Sequence, residues 1–272
     1  MTTSTSSAVE QRTPRADCIA DSAGGITFDL AVPASPDAVL VLKPRSGKDA
    51  ADEVRLPLTP LGDGSSRAVL PSTVELAEGH WDVLLSKQGV DGGDAVEPGI
   101  RDLRALLDRA PHADRITARV PCPAAGGRLA LRCWARAPHA EAGDIGFAPQ
   151  QGALTVEGLL YGAEPAGGAV AEARLHSGEL VHEVPVTGEG RAFAFTLPCR
   201  PMAGKPLGKG QVWDLWLRPA ADAPAIRISR ILDDIWDRKD IFVYPRLTTD
   251  TCHAAAFYTN DNDLCLRLTE AG

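Results

Sequence analysis

The sequence predicts an all-β chain made of two tandem antiparallel β-sandwiches. Three observations predict it. Strand-length runs that alternate apolar and polar residues recur from Ala16 onward, and clusters of Gly, Pro, Asp and Ser separate them. Three pieces of the first half also return, in order, in the second.

In the first half, Ile26–Val32 alternates cleanly and is followed by Ala38–Lys43, Val54–Leu58, Ala68–Leu70 and His80–Leu85. Pro33–Pro36, Gly62-Asp63-Gly64 and Asp91-Gly92-Gly93 supply turns. Arg101–Arg109 has helical spacing at Leu103, Leu106 and Leu107 but also fits a strand followed by a turn; its second-half counterpart favours the strand. Arg115–Val120 and Leu129–Trp134 form a hairpin around Ala125-Gly126-Gly127. Ala137–Gln151, rich in small residues with Pro138, Gly143 and Pro149, reads as a linker. The second series runs Leu154–Leu160, Ala169–Leu175, Leu180–Val186, Ala192–Leu197, Gln211–Leu217, Ala225–Ile231, Asp240–Tyr244 and Leu264–Leu268, with Pro201–Gly210 as a loop.

The repeat is visible in particular residues. Gly79–Leu85 aligns with Gly210–Leu217 through Trp81 and Trp213; Arg104–Asp108 aligns with Arg230–Asp234; and Leu129–Arg132 aligns with Leu264–Arg267. The spacings of 132, 126 and 135 residues drift as loop lengths would between two copies of one fold. A period this long is a domain duplication, not a solenoid. The organisation predicted is a disordered lead-in over 1–15, a sandwich over 16–136, a linker over 137–151 and a sandwich over 152–272. Each copy has the size of an immunoglobulin-like or fibronectin-III-like domain, without the Cys…Trp…Cys pattern of antibody domains.

Composition narrows the function. The chain has 272 residues, 44% of them hydrophobic, enough for packed cores. A net charge of −8 without a basic cluster argues against nucleic-acid binding, which needs grouped Lys and Arg. No apolar run approaches the ~20 residues of a membrane span. Met1–Arg15 lacks the apolar core of an export signal. Cys18, Cys122, Cys133, Cys199, Cys252 and Cys265 form neither a CxxC nor a zinc pattern, so free thiols in a reducing cytoplasm are expected.

Only 5% of residues are Phe, Trp or Tyr, so their placement is informative. By strand parity Trp213, Leu215 and Leu217 share a core face, as do Trp81, Val83 and Leu85. Trp216 then points outward where the first copy has Leu84; an outward Trp is either a partner or sugar platform or is covered by a loop. By the same counting Trp134 faces outward, Cys133 is buried and Cys265 faces outward. Asp233, Asp234, Asp237 and Asp240 invite a carboxylate-pair or metal reading, but neighbours on a strand face opposite sides and Arg227, Arg230, Arg238 and Lys239 stand beside them, which favours ion pairs. Asn260–Asp263 lacks the Gly and Glu of a calcium loop and reads as a hairpin turn. Lys205–Gly210 is not a phosphate-binding loop, no Gly-x-Ser-x-Gly elbow exists, and Cys252 and His253 point apart on a strand. No cofactor or metal is implied.

The second copy resembles the β-sandwich accessory domain that follows the catalytic domain in many actinobacterial family-2 glycosyltransferases and teichoic-acid glycerophosphotransferases. Trp213-Asp214-Leu215-Trp216, Arg230–Asp234, Val243-Tyr244-Pro245, and Tyr258-Thr259 followed by Asn262-Asp263-Leu264 carry the resemblance, which covers roughly the last half and is fainter in the first. The chain has no nucleotide-sugar transferase domain and no DxD on a Rossmann-like sheet. The resemblance therefore implies a non-catalytic accessory protein that binds a protein partner or a cell-envelope glycan. Residues distinctive to the second copy are its expected binding set: Trp216, Trp236, Tyr244, Tyr258, Asp234 and Asp237. The alternative is an envelope or secondary-pathway enzyme, a transferase or cyclase, with Asp234, Asp237, Tyr244, His253 and Tyr258 in a cleft between sandwiches.

Overall fold

The computed structural model describes residues 13–45, 53–204, 207 and 210–271. The disorder expected over 1–15 falls outside these residues up to position 12, and most of the Lys205–Gly210 loop does too. The fold is an all-β sandwich architecture. Its first eleven strands are β1 (Arg15–Ala20), β2 (Ile26–Leu30), β3 (Ala38–Pro44), β4 (Val54–Pro57), β5 (Thr59–Pro60), β6 (Ser66–Leu70), β7 (Gly79–Lys87), β8 (Asp94–Ala95), β9 (Glu97–Asp102), β10 (Ile116–Ala124) and β11 (Arg128–Arg136). The others are β12 (His139–Ala148), β13 (Ala153–Tyr161), β14 (Val170–Leu175), β15 (Val181–Pro185), β16 (Ala192–Pro198), β17 (Gln211–Arg218), β18 (Ile226–Ser229), β19 (Leu247–Thr248), β20 (Cys252–Tyr258) and β21 (Leu264–Glu270).

The chain divides into two compact units, Met1–Ala105 with Arg119–Cys133, and Leu106–Ala118 with Trp134–Gly272. The division does not follow the expected linker: residues 137–151 contain β12, which pairs along its length with β13. The small residues there are packing residues. Ala140 and Ala142 are buried in the core, and a Cβ on Gly143 would press on the Glu157 carbonyl. Two more segments depart from expectation. Arg104–Asp108 is a 3-10 turn after β9, so its helical spacing was the better guide. Asp240–Tyr244 is not a strand, because its alternation reflects an anchored loop described below.

In the first unit one sheet runs β5-β6-β2-β1-β9 and the other β10-β11-β7-β3-β4, with β8 on β7. In the second, β16-β13-β12 continues through β18 into β17-β21-β20-β19, and β14 joins β17 to β15. Leu154, Val156, Phe193 and Phe195 from one layer and Trp213, Leu215, Leu266 and Tyr258 from the other share one core. Pairing is mostly antiparallel, but each unit contains a parallel pair, β1 with β9 and β12 with β18.

The registers of the two units match position by position. Trp81 lies opposite Leu131, and Trp213 opposite Leu266. Leu84 lies opposite Val41, and Trp216 opposite Glu172. Arg55 then extends the first row and Glu183 the second. Pro98 faces Ala16 as Ile228 faces Ala140. That parallel pairing makes 98 and 228 the matched positions, so the alignment of Arg104–Asp108 with Arg230–Asp234 is a coincidence of composition. The next residues in β1 and β12, Asp17 and Glu141, both turn their carboxylates onto the neighbouring backbone: Asp17 Oδ1 accepts from Ile100 N at 2.7 Å, and Glu141 from Ile231 N and Leu232 N at 3.0–3.1 Å.

Volume is conserved where identity is not. In the first unit Cys18, Phe28 and Ala68 form one cross-strand row; in the second, Ala142, Gly158 and Phe193 do. The aromatic has changed strands. A Cβ on Gly158 would sit 2.5 Å from Phe193 Cζ and closer still to the Glu141 carbonyl. Gly158→Ala should therefore lower unfolding stability by ~1–3 kcal/mol through overpacking. Adding Phe193→Leu should recover part of that loss. Urea unfolding of the two single variants and the double variant checks this; strictly additive losses would show that the ring and the glycine are not coupled.

Candidate functional site

The stretch after β18 has no regular secondary structure and is held by side chains. Asp233 Oδ1 accepts from Ile235 N at 3.1 Å, an Asx-type turn. Its Oδ2 pairs with Arg238 Nη2 and lies 3.4 Å from Arg230 Nε. The Arg238 side chain is 0% exposed. Its Nε donates to the Arg230 carbonyl at 3.0 Å, and its guanidinium lies 4.9 Å from the Phe242 ring centre and 5.5 Å from that of Tyr258. Asn262, in the turn between β20 and β21, adopts φ +59° and closes the Thr259–Asp263 turn, as expected of that hairpin. Its side chain also receives Arg238 N at 3.0 Å and donates to the Ile235 carbonyl at 3.1 Å.

These contacts place the expected site residues differently from the sequence reading. Tyr258 is fully buried in the core, so it is not a surface residue; its parity on β20 turns it inward with Ala254 and Ala256. Tyr244 packs over it, with the Tyr244 hydroxyl donating to that of Tyr258 at 3.5 Å. Burial raises the Tyr258 pKa, and the Tyr244 contact adds to it. Phe242 and Tyr244 face in while Ile241 and Val243 face out, the latter 92% exposed, which explains the strand-like alternation. Asp233, not Asp234 or Asp237, receives the arginines; those two and Trp236 are half-buried, and Asp237 Oδ1 is shielded without a hydrogen-bond partner among the described residues. His253 contacts Thr248 at 2.9 Å, away from the tyrosine pair on the opposite face of β20. Sequence reasoning missed Glu141, and took Arg238 only as one of four neighbouring cations and Asn262 only as a turn residue. An arginine beside the Asp233–Asp240 acids and an Asn at a left-handed turn position were the signals available. Among the described residues no group of three or more His, Cys, Asp and Glu could hold a metal.

Trp216 lies on the other face of β17, as parity required, and is half-buried. Arg174 and Arg227, from strands on either side of β17, bring their guanidiniums to 4.6 and 5.4 Å from its ring centre. Its indole N–H is shielded and has no acceptor among the described residues. Around it Glu172 binds Arg218 at 2.7 Å and Arg174 at 2.6 Å, and Asp214 binds Arg227 at 2.8 Å and His176 at 2.9 Å. Burial alone would raise the Glu172 carboxyl, but its bonds to Arg218 and Arg174 outweigh that and hold it below the usual range. Arg267 is exposed over Phe257 on the same face, 4.6 Å from its ring centre. A cleft of about 260 Å³ opens beside Arg227, walled by Arg136, Pro138, Pro224, Ala225 and Ile226.

All six thiols are free and buried. Cys265 lies on the Trp216 face but is covered, not exposed as parity suggested: Arg227 Nη2 donates to its sulfur at 3.1 Å, and its thiol donates to Asp214 at 3.3 Å. Trp134 is likewise buried despite its parity. Burial pushes Cys18, Cys133, Cys199 and Cys265 up to about 12 and Cys122 to about 11. No helix among the described residues is long and apolar enough to cross a membrane.

No family model and no curated protein matches the chain. Among solved structures it is similar to S. aureus TarS 217-571, with 17% identity and a TM-score of 0.30 over 78% of this chain and 61% of that one. It is also similar to S. aureus TarS, with 16% identity and a TM-score of 0.30 over 78% of this chain and 39% of that one. The chain thus spans less than two thirds of either protein, and a likeness this distant says nothing of ligand or activity.

Removing one member of a buried ion pair leaves the other charge uncompensated. Arg238→Met should therefore cost ~3–5 kcal/mol, whereas Asp234→Ala should stay within ~1 kcal/mol; equal losses in chemical denaturation would refute the assignment to Asp233. Glu172 carries a pH signature. Its folded-state pKa is depressed, so its stabilisation is complete above the ordinary glutamate value of about 4.3 and is lost as pH falls through the folded value. Glu172→Gln should be less stable at neutral pH and show a shallower acid limb in urea midpoints.

Proposed function

We propose that this chain is a non-catalytic binding module, and that its second unit recognises a protein partner or a cell-envelope glycan through the Trp216 face. One observation carries the reading. At the position where the first unit has Leu84 opposite Val41, the second has Trp216 opposite Glu172, set among Arg174, Arg218 and Arg227. A duplicated sandwich must keep its core filled in both copies. It has no packing reason to exchange a Leu–Val pair for a tryptophan with three arginines around it. An indole ring with planar guanidiniums beside it offers stacking to the apolar face of a sugar or an aromatic side chain, and directional donors to its oxygens. The half-exposed Phe257 with Arg267 extends the same chemistry across β20 and β21.

Of the residues expected to bind, Trp216 remains in this reading. Tyr258 and Tyr244 leave it, because they pack with Arg238 on the other side of the sheet.

Trp216→Ala should weaken binding at least several-fold, as loss of a stacking aromatic worth ~1 kcal/mol or more implies, while circular dichroism stays unchanged. Leu84→Ala in the first unit should leave binding untouched. Titration against cell-envelope glycans, with affinity capture of protein partners as the second arm, reads the outcome. Wild-type affinity in a folded Trp216→Ala protein would overturn the reading.

A further inference from the structure

The parallel pair of β12 and β18 starts late. Ala140 lies opposite Ile228 and Glu141 opposite Ser229. Carried two residues upstream, the same register would set Pro138 against Ile226. Proline has no N–H to give the ladder, so only its carbonyl could continue the pairing. In the first unit the matched proline does this: Arg15 lies opposite Glu97, and Glu97 N donates to the Pro14 carbonyl at 2.7 Å. In the second unit the matching bond, from Arg227 N to the Pro138 carbonyl, is not made, and the strands part. The gap is the cleft of about 260 Å³ between Arg136 and Pro138 on one side and Pro224, Ala225, Ile226 and Arg227 on the other.

The walls and charges of this cleft select its occupant. Pro138, Pro224, Ala225 and Ile226 are apolar, and the two prolines offer no N–H. The two arginines are engaged within the protein. Arg227 gives Nη1 to the Leu215 carbonyl at 3.0 Å and Nη2 to Asp214 at 2.8 Å and the Cys265 sulfur at 3.1 Å, and its Nε faces Asp263 at 3.5 Å. Arg136 Nη1 donates to Ser229 Oγ at 2.7 Å and lies 3.3 Å from Asp263. Asp214 and Asp263 thus balance the two guanidiniums, and the cleft calls for no charged ligand. A sugar ring seated there would leave hydroxyls without partners, which is unfavourable, whereas an apolar side chain would lose nothing. The size fits one such side chain, since an apolar cavity of about 150 Å³ already holds a benzene ring. Arg227 both lines the cleft and lies 5.4 Å from the Trp216 ring centre, so the cleft adjoins the Trp216 face.

We infer that the partner of the Trp216 face is a protein, a short segment of which seats one aromatic or large aliphatic side chain in this cleft and lays an adjacent residue across Trp216. The inference rests on the Trp216 face being the binding surface, and it selects the protein over the glycan. A single side chain anchored in a pocket commonly dominates the affinity of such a contact.

The test is selection of the full chain against a displayed library of random dodecapeptides, followed by calorimetric titration with the synthetic peptides recovered. Wild type should enrich peptides that share an aromatic or large aliphatic residue at one position. Replacing that residue with alanine should weaken binding at least roughly tenfold. Ala225→Trp, which fills the cleft, should weaken it as much while circular dichroism stays unchanged, and Trp216→Ala should weaken it several-fold. If the tryptophan variant does not fold, Ala225→Asp decides, because a carboxylate in an apolar cleft opposes the same anchor. Peptides that lose affinity in Trp216→Ala but keep it in the folded Ala225 variant would overturn the cleft as the anchor site and leave the Trp216 face standing. So would a failure to enrich any peptide while a cell-envelope glycan binds wild type and Ala225→Trp alike. Wild-type peptide affinity in a folded Trp216→Ala protein would overturn both.

Discussion

The second sandwich depends on a buried positive charge. Arg238 lies inside a loop without regular structure, and a buried guanidinium is tolerable only when its donors find acceptors and its faces find rings. Asp233 takes its Nη2, the Arg230 carbonyl takes its Nε, and the rings of Phe242 and Tyr258 lie against the guanidinium. Once they do, the path of residues 230–246 is largely set. The backbone of Arg238 must reach Asn262, so the loop is tied to the β20–β21 turn, and Ile231 and Leu232 are tied to β12 through Glu141. The first unit uses a related device: Arg119, also buried, donates to the carbonyls of Gly24, Pro71 and Val74. In both, one long cation satisfies backbone groups that strands cannot reach.

The matched registers separate what the sandwich requires from what is free to change. Trp81 and Trp213, each opposite a leucine, fill equivalent core positions. The Phe28–Ala68 and Gly158–Phe193 pairs fill one space from opposite strands, which shows that the constraint is volume, not identity. Asp17 and Glu141 keep one task, accepting backbone N–H groups where a parallel pair leaves the ladder. Arg45 with Asp82, and His176 with Asp214, keep a side-chain contact to the matched aspartate across the same strands with a different partner. Against that background the Leu84 to Trp216 difference and its arginines stand out as unforced by packing.

Many of the strands, the main turns, the core parity of Trp213 and Leu215 and the duplication were written in the sequence. Each depends on short-range periodicity or on chain-wide repetition, both of which survive without coordinates. The strand β12 was not legible, because small residues mark flexible linkers and tight packing alike, and only the neighbours Glu157 and Thr155 on β13 decide between them. Alternation over Asp240–Tyr244 looked like a strand because inward and outward anchoring gives any extended segment that pattern, whether or not a partner strand is present.

Which residues would form a site was the least legible part. Tyr258 and Trp216 are both aromatics distinctive to the second copy, and sequence ranked them together. The structure puts one beneath Arg238 in the core and the other on the opposite face between Arg174 and Arg227. Asp233 and Asp234 are neighbours, and only the fold made the first the partner of Arg238. The sequence by itself determined two β-sandwich copies and the parity of β17, with Trp213 turned into the core and Trp216 away from it. Tertiary structure alone decided which acids meet which arginines and which outward side chains stay covered, because those contacts join strands and loops far apart in the chain, and no local pattern encodes them.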